Sequence, residues 1–230
     1  MRLYASGTSV RGPAHQQDDE PNQDAVGIYG LRGGWCIAVA DGLGSRSKSH
    51  LGSRKAVNLL RQIMRGAEML VAAEVTPALR EAWLNHFGTD YHDYETTCLW
   101  ACVEASGHGV IGQVGDGLLL VRSAGVFNVM STPRRGYSNH TETLAQRAHL
   151  DSCSARVALT QPGDGVLMMT DGIADDLIPD QLESFFNAIY QRIRQCSKRR
   201  TRRWLTQELN GWSTPNHGDD KSLAGIFRMD

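Results

Sequence analysis

The sequence predicts an α+β layered domain, and two observations carry that expectation. Apolar runs of strand length at 98–104, 110–114, 118–122 and 126–130 are joined by connections too short for crossover helices, so these strands should pair antiparallel. Amphipathic helical patterns stand in blocks on either side of the runs rather than alternating with them, which argues for helices layered on antiparallel sheets and against a βαβ repeat. A chain of 230 residues can bury a good core in one domain. With no internal repeat, low-complexity tract or linker, residues 1–230 are expected to form a single domain.

Taken in order, the first buried strand is expected at 35–40. A helix follows over Ser53 to Met64, where Ala56, Val57, Leu60, Ile63 and Met64 mark one face. Thr76-Pro77 reads as an N-cap and first helical proline, opening a helix that buries Leu79, Ala82, Trp83 and Phe87. After the middle strands, 157–159 and 166–170 continue the series. A third helix begins at Asp180, with Glu183 three residues on and a stripe of Leu182, Phe185, Phe186, Ile189 and Ile193. Thr201 to Asn210 is a short fourth, stopped by Gly211, before a last strand at 222–227. The segment Ser131 to Ser154 is polar and His-rich and reads as a flap.

Composition narrows the class. A net charge of −1 gives no basic surface for nucleic acid. No apolar run approaches the roughly 20 residues of a membrane span, and Met1-Arg-Leu-Tyr-Ala-Ser-Gly7 lacks a signal-peptide core. A cytoplasmic monomer is the expectation. The 5 cysteines form no Cys-x-x-Cys, and Cys36, Cys98 and Cys102 read as buried small hydrophobes in a reducing compartment.

The chemistry lies in apolar runs that end on Asp-Gly: Cys36-Ile-Ala-Val-Ala-Asp41-Gly42, Val110-Ile-Gly-Gln-Val-Gly-Asp116-Gly117 and Val166-Leu-Met-Met-Thr-Asp171-Gly172. Asp219-Asp220 precedes the run Ser222 to Phe227. A carboxylate at the end of a buried strand is held rigidly, and the following glycine lets the backbone turn or approach an ion closely. Several such carboxylates at one end of a sheet repel one another unless a cation lies between them, which points to hard oxygen-ligated Mg²⁺ or Mn²⁺. Asp-Gly is also a hairpin signal, and Asp164-Gly165 reads as only that.

The order Asn22-Gln-Asp24-Ala25, Ala40-Asp41-Gly42-Leu43-Gly44-Ser45, Glu95-Thr96-Thr97, Gly115-Asp116-Gly117, Thr170-Asp171-Gly172 and Asp219-Asp220-Lys221-Ser222 resembles the metal-dependent type 2C Ser/Thr protein phosphatases, most closely their compact bacterial branch. The resemblance spans about residues 5–228. It implies two antiparallel sheets packed as a sandwich with helices on the outer faces, a four-layer αββα arrangement. It implies a phosphatase acting on phosphoserine and phosphothreonine through in-line attack of a hydroxide bridging two Mn²⁺ or Mg²⁺ ions about 3.5–4 Å apart. Carried over by motif, Asp41 would bridge the ions with the Gly42 carbonyl as a further ligand, and Asp171 and Asp219 would complete the first ion. Asp24 would bind or orient water on the other side, and Asp116 would hold a third, weaker metal. The implied partners are a phosphorylated protein substrate and a cognate Ser/Thr kinase in signalling.

The chain departs from that family in places. Where many members carry a phosphate-clamping Arg, this one has His15-Gln-Gln-Asp-Asp-Glu20-Pro21, leaving Arg11 or His15 as substitutes or an ordinary solvated loop. Gln23 replaces a metal-binding Glu of eukaryotic members, Leu43 replaces a His, and Asp220 stands where Asn is usual, reading as a turn or strand-start residue. The rival reading is a pseudophosphatase that binds a phosphorylated partner or regulates a kinase without turnover; a two-metal nuclease lacks a basic track. The run Lys198 to Arg203 reads as a solvated junction between two helices. The loop Ser45 to His50 could face a bound phosphoprotein or serve as a helix lead-in capped by Ser49. His92, His108, His140, His149 and His217 show no zinc spacing.

Overall fold

Glycine-punctuated apolar runs and amphipathic helical stretches assemble here into a sandwich. In the computed structural model, the described residues are 2–67, 71–131, 141–146, 154–212, 214 and 218–230. In chain order the elements are β1 (Leu3–Val10), α1 (Pro13–Gln17), β2 (Ala25–Leu31), β3 (Gly34–Ala40), α2 (Ser49–Gly66), α3 (Ala72–Phe87), β4 (Cys98–Val103), β5 (His108–Val114), β6 (Leu118–Ser123) and β7 (Val126–Val129). They continue with β8 (Ser154–Ala158), β9 (Gly165–Met169), α4 (Asp171–Ala174), α5 (Leu182–Gln195), α6 (Lys198–Gly211) and β10 (Lys221–Arg228).

Two antiparallel five-stranded sheets result, in the orders β1-β10-β9-β6-β7 and β2-β3-β4-β5-β8. The period-2 alternation of each strand sends one set of side chains between the sheets and the other outward. Ile37, Val39, Leu99, Ala101, Ile111, Val166, Met168 and Ile226 fill the inner layer. The outward set of the second sheet meets α2 and α3 through Ala38, Trp100, Leu60, Met64, Leu79 and Trp83. That of the first meets α5 and α6 through Tyr4, Leu167, Phe186, Ile193, Leu205 and Phe227. The layers are helix, sheet, sheet, helix, as the family resemblance implied. Burying a large apolar side chain contributes about 1.5–3 kcal/mol.

Several local expectations are corrected. The strands β1 and β2 were not anticipated, because Ser6, Gly7, Ser9, Gly27 and Gly30 dilute their apolar signal. The helix placed at Thr76-Pro77 begins at Ala72, with Pro77 inside its second turn; Thr76 instead accepts a hydrogen bond from Trp100 Nε1 at 3.1 Å. Ser49 is the first helical residue of α2 rather than its cap. The Lys198 to Arg203 run is not a junction but the opening of α6, with Ser197 at the N-cap position and good helix formers behind it. Cys36 and Cys102 are buried but not separate thiols: directly opposed across β3 and β4, they form a disulfide with Cα atoms 4.1 Å apart. Cys98 stays a free thiol, pushed up to about 12 by burial. Asp164 staples a turn, accepting from Gly125, Thr160 and Gln161 N–H groups. Most of the supposed flap at Ser131 to Ser154, and His140, His149 and His217, lie outside the described residues. No helix among the described residues is long and apolar enough to cross a membrane.

Trp83 ties α3 to α2, fully buried and donating from Nε1 to the Gly52 carbonyl at 3.1 Å. Trp83→Leu should lower stability by about 2–4 kcal/mol through lost volume plus the lost indole hydrogen bond. Urea unfolding followed by circular dichroism checks it; a change below about 0.5 kcal/mol would show that this contact does not hold the layer.

Candidate metal centre

Antiparallel register brings the predicted carboxylates to one end of the sandwich. Ala25 pairs with Ala40, so Asp24, just before β2, lies beside Asp41, just after β3. Leu223 pairs with Met169, which sets Asp219, ahead of β10, near Asp171, just past β9. Cys98 pairs with Val114, so Thr97 and the Gly115-Asp116 turn fall at the same end.

The local backbone fixes each acid. The Asp41 N–H donates to Thr97 Oγ1 at 3.0 Å, and its carbonyl accepts from Thr97 N–H and Thr96 Oγ1, both at 2.8 Å. Gly42 donates to the Gln23 carbonyl at 3.2 Å and forms a bridge with Thr96. A Cβ on Gly42 would fall 2.7 Å from Ser49 at the start of α2, so a glycine is required there. Asp171 opens α4, where a carboxylate meets the positive end of the helix. Asp24 is buried; its Oδ2 accepts from Thr170 Oγ1 at 3.0 Å, while no full hydrogen bond reaches its buried Oδ1. Asp116 Oδ2 accepts from Thr141 Oγ1 at 2.7 Å, and Gly115 beside it has φ of 107°, which favours glycine.

The charges are mutually unfavourable. Burial raises the Asp41 carboxyl well above its ordinary range, with Asp24, Asp171 and Asp219 adding to the shift. Asp24 is raised well above its range too, chiefly by burial and then by Asp220 and Asp219. Asp171 is raised by burial and by Asp116, Asp219 and Asp175. Asp219 itself is exposed. Asp41 and Asp171 share a side-chain hydrogen bond, while Asp24 and Asp219 stand further off. Among the described residues, the ligand-type side chains with donor atoms all within 4.8 Å of one another are His15, Asp219 and Asp220. An oxygen-only set of repelling carboxylates, one with an oxygen buried and unsatisfied, fits hard divalent cations.

Asp220 has a different environment from its neighbour. It is buried and accepts from Gly12 N–H at 2.7 Å and Gln23 N–H at 2.6 Å, and His15 Nδ1 lies 3.0 Å from its Oδ2. It therefore ties the loop after β1 to the Asn22-Asp24 turn. His15 is accordingly engaged with Asp220, and Arg11 donates to the Glu20 carbonyl at 3.0 Å. Sequence reasoning missed two anchors. Lys221, fully buried, donates from Nζ to the Asp219 carbonyl at 3.1 Å. Glu95, also buried, accepts from Arg46 Nη2 at 3.0 Å and Thr143 Oγ1 at 3.1 Å, with His92 Nδ1 at 3.1 Å. Both lie inside motifs that carried the resemblance, yet spacing alone gave no sign that they are buried.

A family model, protein phosphatase 2C, matches residues 11–210. The chain belongs to the protein phosphatase 2C family. Its enzyme class is accordingly protein-serine/threonine phosphatase. Solved structures of similar fold include the catalytic domain of the serine/threonine protein phosphatase PstP in complex with 2 manganese ions. That structure has 16% identity, 99% of each chain covered and a TM-score of 0.68. A bacterial serine phosphatase has 16% identity, 100% of this chain and 99% of that one covered, and a TM-score of 0.71. Stp1 from Staphylococcus aureus has 16% identity, coverage of 100% and 96%, and a TM-score of 0.69. No curated protein matches the sequence significantly.

The two kinds of carboxylate at this end of the fold should respond to substitution with opposite signs. A carboxyl raised in the folded state binds protons more tightly there than in the unfolded chain, so its stability penalty grows as pH rises from about 4 through the raised folded value. In chelator at pH 7.5, Asp41→Asn should therefore melt about 2–4 °C higher for each ~1 kcal/mol of relieved repulsion, and the gain should shrink toward pH 5. Asp220→Ala should cost about 2–4 kcal/mol at either pH, because two backbone N–H groups lose a charged acceptor. Thermal melts check both; a destabilised Asp41→Asn would contradict the repulsion.

Proposed function

We propose that this chain is a metal-dependent phosphoprotein phosphatase, a single catalytic domain that hydrolyses phosphoserine and phosphothreonine with Mn²⁺ or Mg²⁺. The observation that carries the reading is the set of strand-end carboxylates, Asp24, Asp41 and Asp171, whose ionisation both burial and neighbouring acids oppose. The PstP structure with 2 manganese ions supports the same choice of cofactor. Asp41 with the Gly42 carbonyl, Asp171 and Asp219 would hold the core pair of ions, Asp24 would bind or orient water beside them, and Asp116 would hold a weaker third. Bound at such a site, divalent cations lower the pKa of water to near 7 and neutralise charge on phosphoryl oxygens, which suits in-line displacement at phosphorus.

The chain's own groups prepare that chemistry. Thr96 and Thr97 hold the Asp41 backbone still, and Thr170 fixes the rotamer of Asp24. Fixed carboxylates cost no reorganisation when charge develops at the reacting centre. Near this end of the fold stand Arg11, His15 and Arg46, held respectively by the Glu20 carbonyl, Asp220 and Glu95. They are candidates to meet a substrate phosphate. A Ser/Thr kinase supplying the phosphoprotein is the corresponding partner. A binding-only pseudophosphatase would keep repelling carboxylates without using them, so the catalytic reading is preferred.

Hydrolysis of p-nitrophenyl phosphate and of a phosphothreonine peptide should require added Mn²⁺ or Mg²⁺, vanish in chelator and return on metal addition. Asp41→Asn and Asp171→Asn should each lower kcat by about a hundredfold or more. Asp116→Ala should raise the metal concentration needed for full rate yet keep the tight binding events, since a site with few carboxylates binds hard cations loosely. Full activity in chelator would overturn the mechanism.

A further inference from the structure

The two sheets are left open along one side. There β1 ends one sheet and β2 ends the other, and among the described residues no backbone hydrogen bond joins them. Between them runs a groove of about 600 Å³. Its floor is the rim of the inner core, where Ala5 is buried and Val26 and Ile28 are partly covered. One end reaches Asn22 and Asp24 of the metal centre. The other lies near Trp35, whose Nε1 donates to the Leu3 carbonyl.

Cations line both walls. Arg54 projects from α2 on the β2 side, and Lys198 and Arg202 from α6 on the β1 side. All three residues are exposed, and none forms an ion pair with a described residue. Lys198 Nζ is placed by stacking 3.7 Å over the Trp35 ring. Unpaired strand edges accept an extended chain through main-chain hydrogen bonds. Like charges gathered around such a groove in a chain of net charge −1 call for an anionic occupant. This also accounts for the basic run at the start of α6, which catalysis does not use.

We propose that the groove between β1 and β2 docks an extended acidic segment of the phosphoprotein substrate, gripped by Arg54, Lys198 and Arg202, beside the carboxylate cluster that receives its phosphoresidue. The proposal rests on the phosphatase reading for the identity of the occupant, and its test separates the two.

Binding is read without turnover, by fluorescence anisotropy of a labelled unphosphorylated Asp/Glu-rich decapeptide in Mg²⁺ buffer, against the same peptide with Asn and Gln. At low salt the acidic peptide should bind about thirtyfold more tightly, from about threefold for each of the three cations, and the difference should shrink in 0.5 M NaCl. The double variant Lys198→Gln/Arg202→Gln should abolish most of the difference, and Lys198→Arg/Arg202→Lys should keep it. With Mn²⁺, the glutamine variant should raise KM for an acidic-flanked phosphothreonine peptide while leaving kcat/KM for p-nitrophenyl phosphate unchanged, which also reports an intact fold. If the double variant does not fold, Arg54→Gln and Arg202→Gln singly should each reduce the acidic preference. Equal binding of acidic and amide peptides, an unchanged preference in the variants, or tighter binding of anionic vesicles or an oligodeoxynucleotide than of the acidic peptide would overturn the docking site. A wild-type protein that prefers the acidic peptide but hydrolyses nothing with Mn²⁺ would instead overturn the phosphatase reading alone.

Discussion

Repulsion among carboxylates that the fold will not let separate governs this end of the molecule. Asp24, Asp41 and Asp171 sit on strand ends whose registers are locked by ladders extending through both sheets, so they cannot move apart without unpairing β2, β3, β9 or β10. The inner layer of Ile37, Val39, Val166 and Met168 makes such unpairing costly. The hydrophobic sandwich therefore does electrostatic work, holding anions where water alone would not assemble them.

A second layer of interactions keeps the acids aimed. Threonines 96, 97 and 170 satisfy backbone or carboxylate positions around Asp41 and Asp24. Asp220 and Glu95 look like members of the same acidic set, but each is spent on neighbouring donors: two backbone N–H groups in one case, and Arg46 and Thr143 in the other. The division is physical. Carboxylates saturated by local hydrogen bonds fix loops, whereas Asp24 keeps an unsatisfied oxygen for something from outside.

The sequence made much of this legible because the site is built from strand ends, and strand ends are marked by apolar runs stopping at Asp-Gly. The central strands β3, β5 and β9 are such runs, β4 and β6 are apolar runs with other ends, and all five were readable within a residue or two. The edge strands β1 and β2 were not, since a strand with one neighbour tolerates Ser and Gly where a central one carries Val and Ile. That failure also concealed the groove, which exists only between those two edges. The start of α6 was misplaced for a related reason: a run of Lys and Arg reads as solvated, yet these residues propagate a helix well when Thr201 and Leu205 face the core. The Cys36–Cys102 pairing depends on register between β3 and β4, which cysteine spacing does not encode.

Strained carboxylates awaiting cations should give up protons when metal binds. Calorimetric titration of the metal-free protein with Mn²⁺ near pH 6.5, repeated in buffers of different ionisation enthalpy, counts the protons displaced. Carboxyls raised by burial and repulsion hold protons more tightly than free carboxylates do and must ionise to ligate. Binding should be tight with net proton release, reduced in Asp41→Asn. Tight binding without proton release, or no binding, would contradict it.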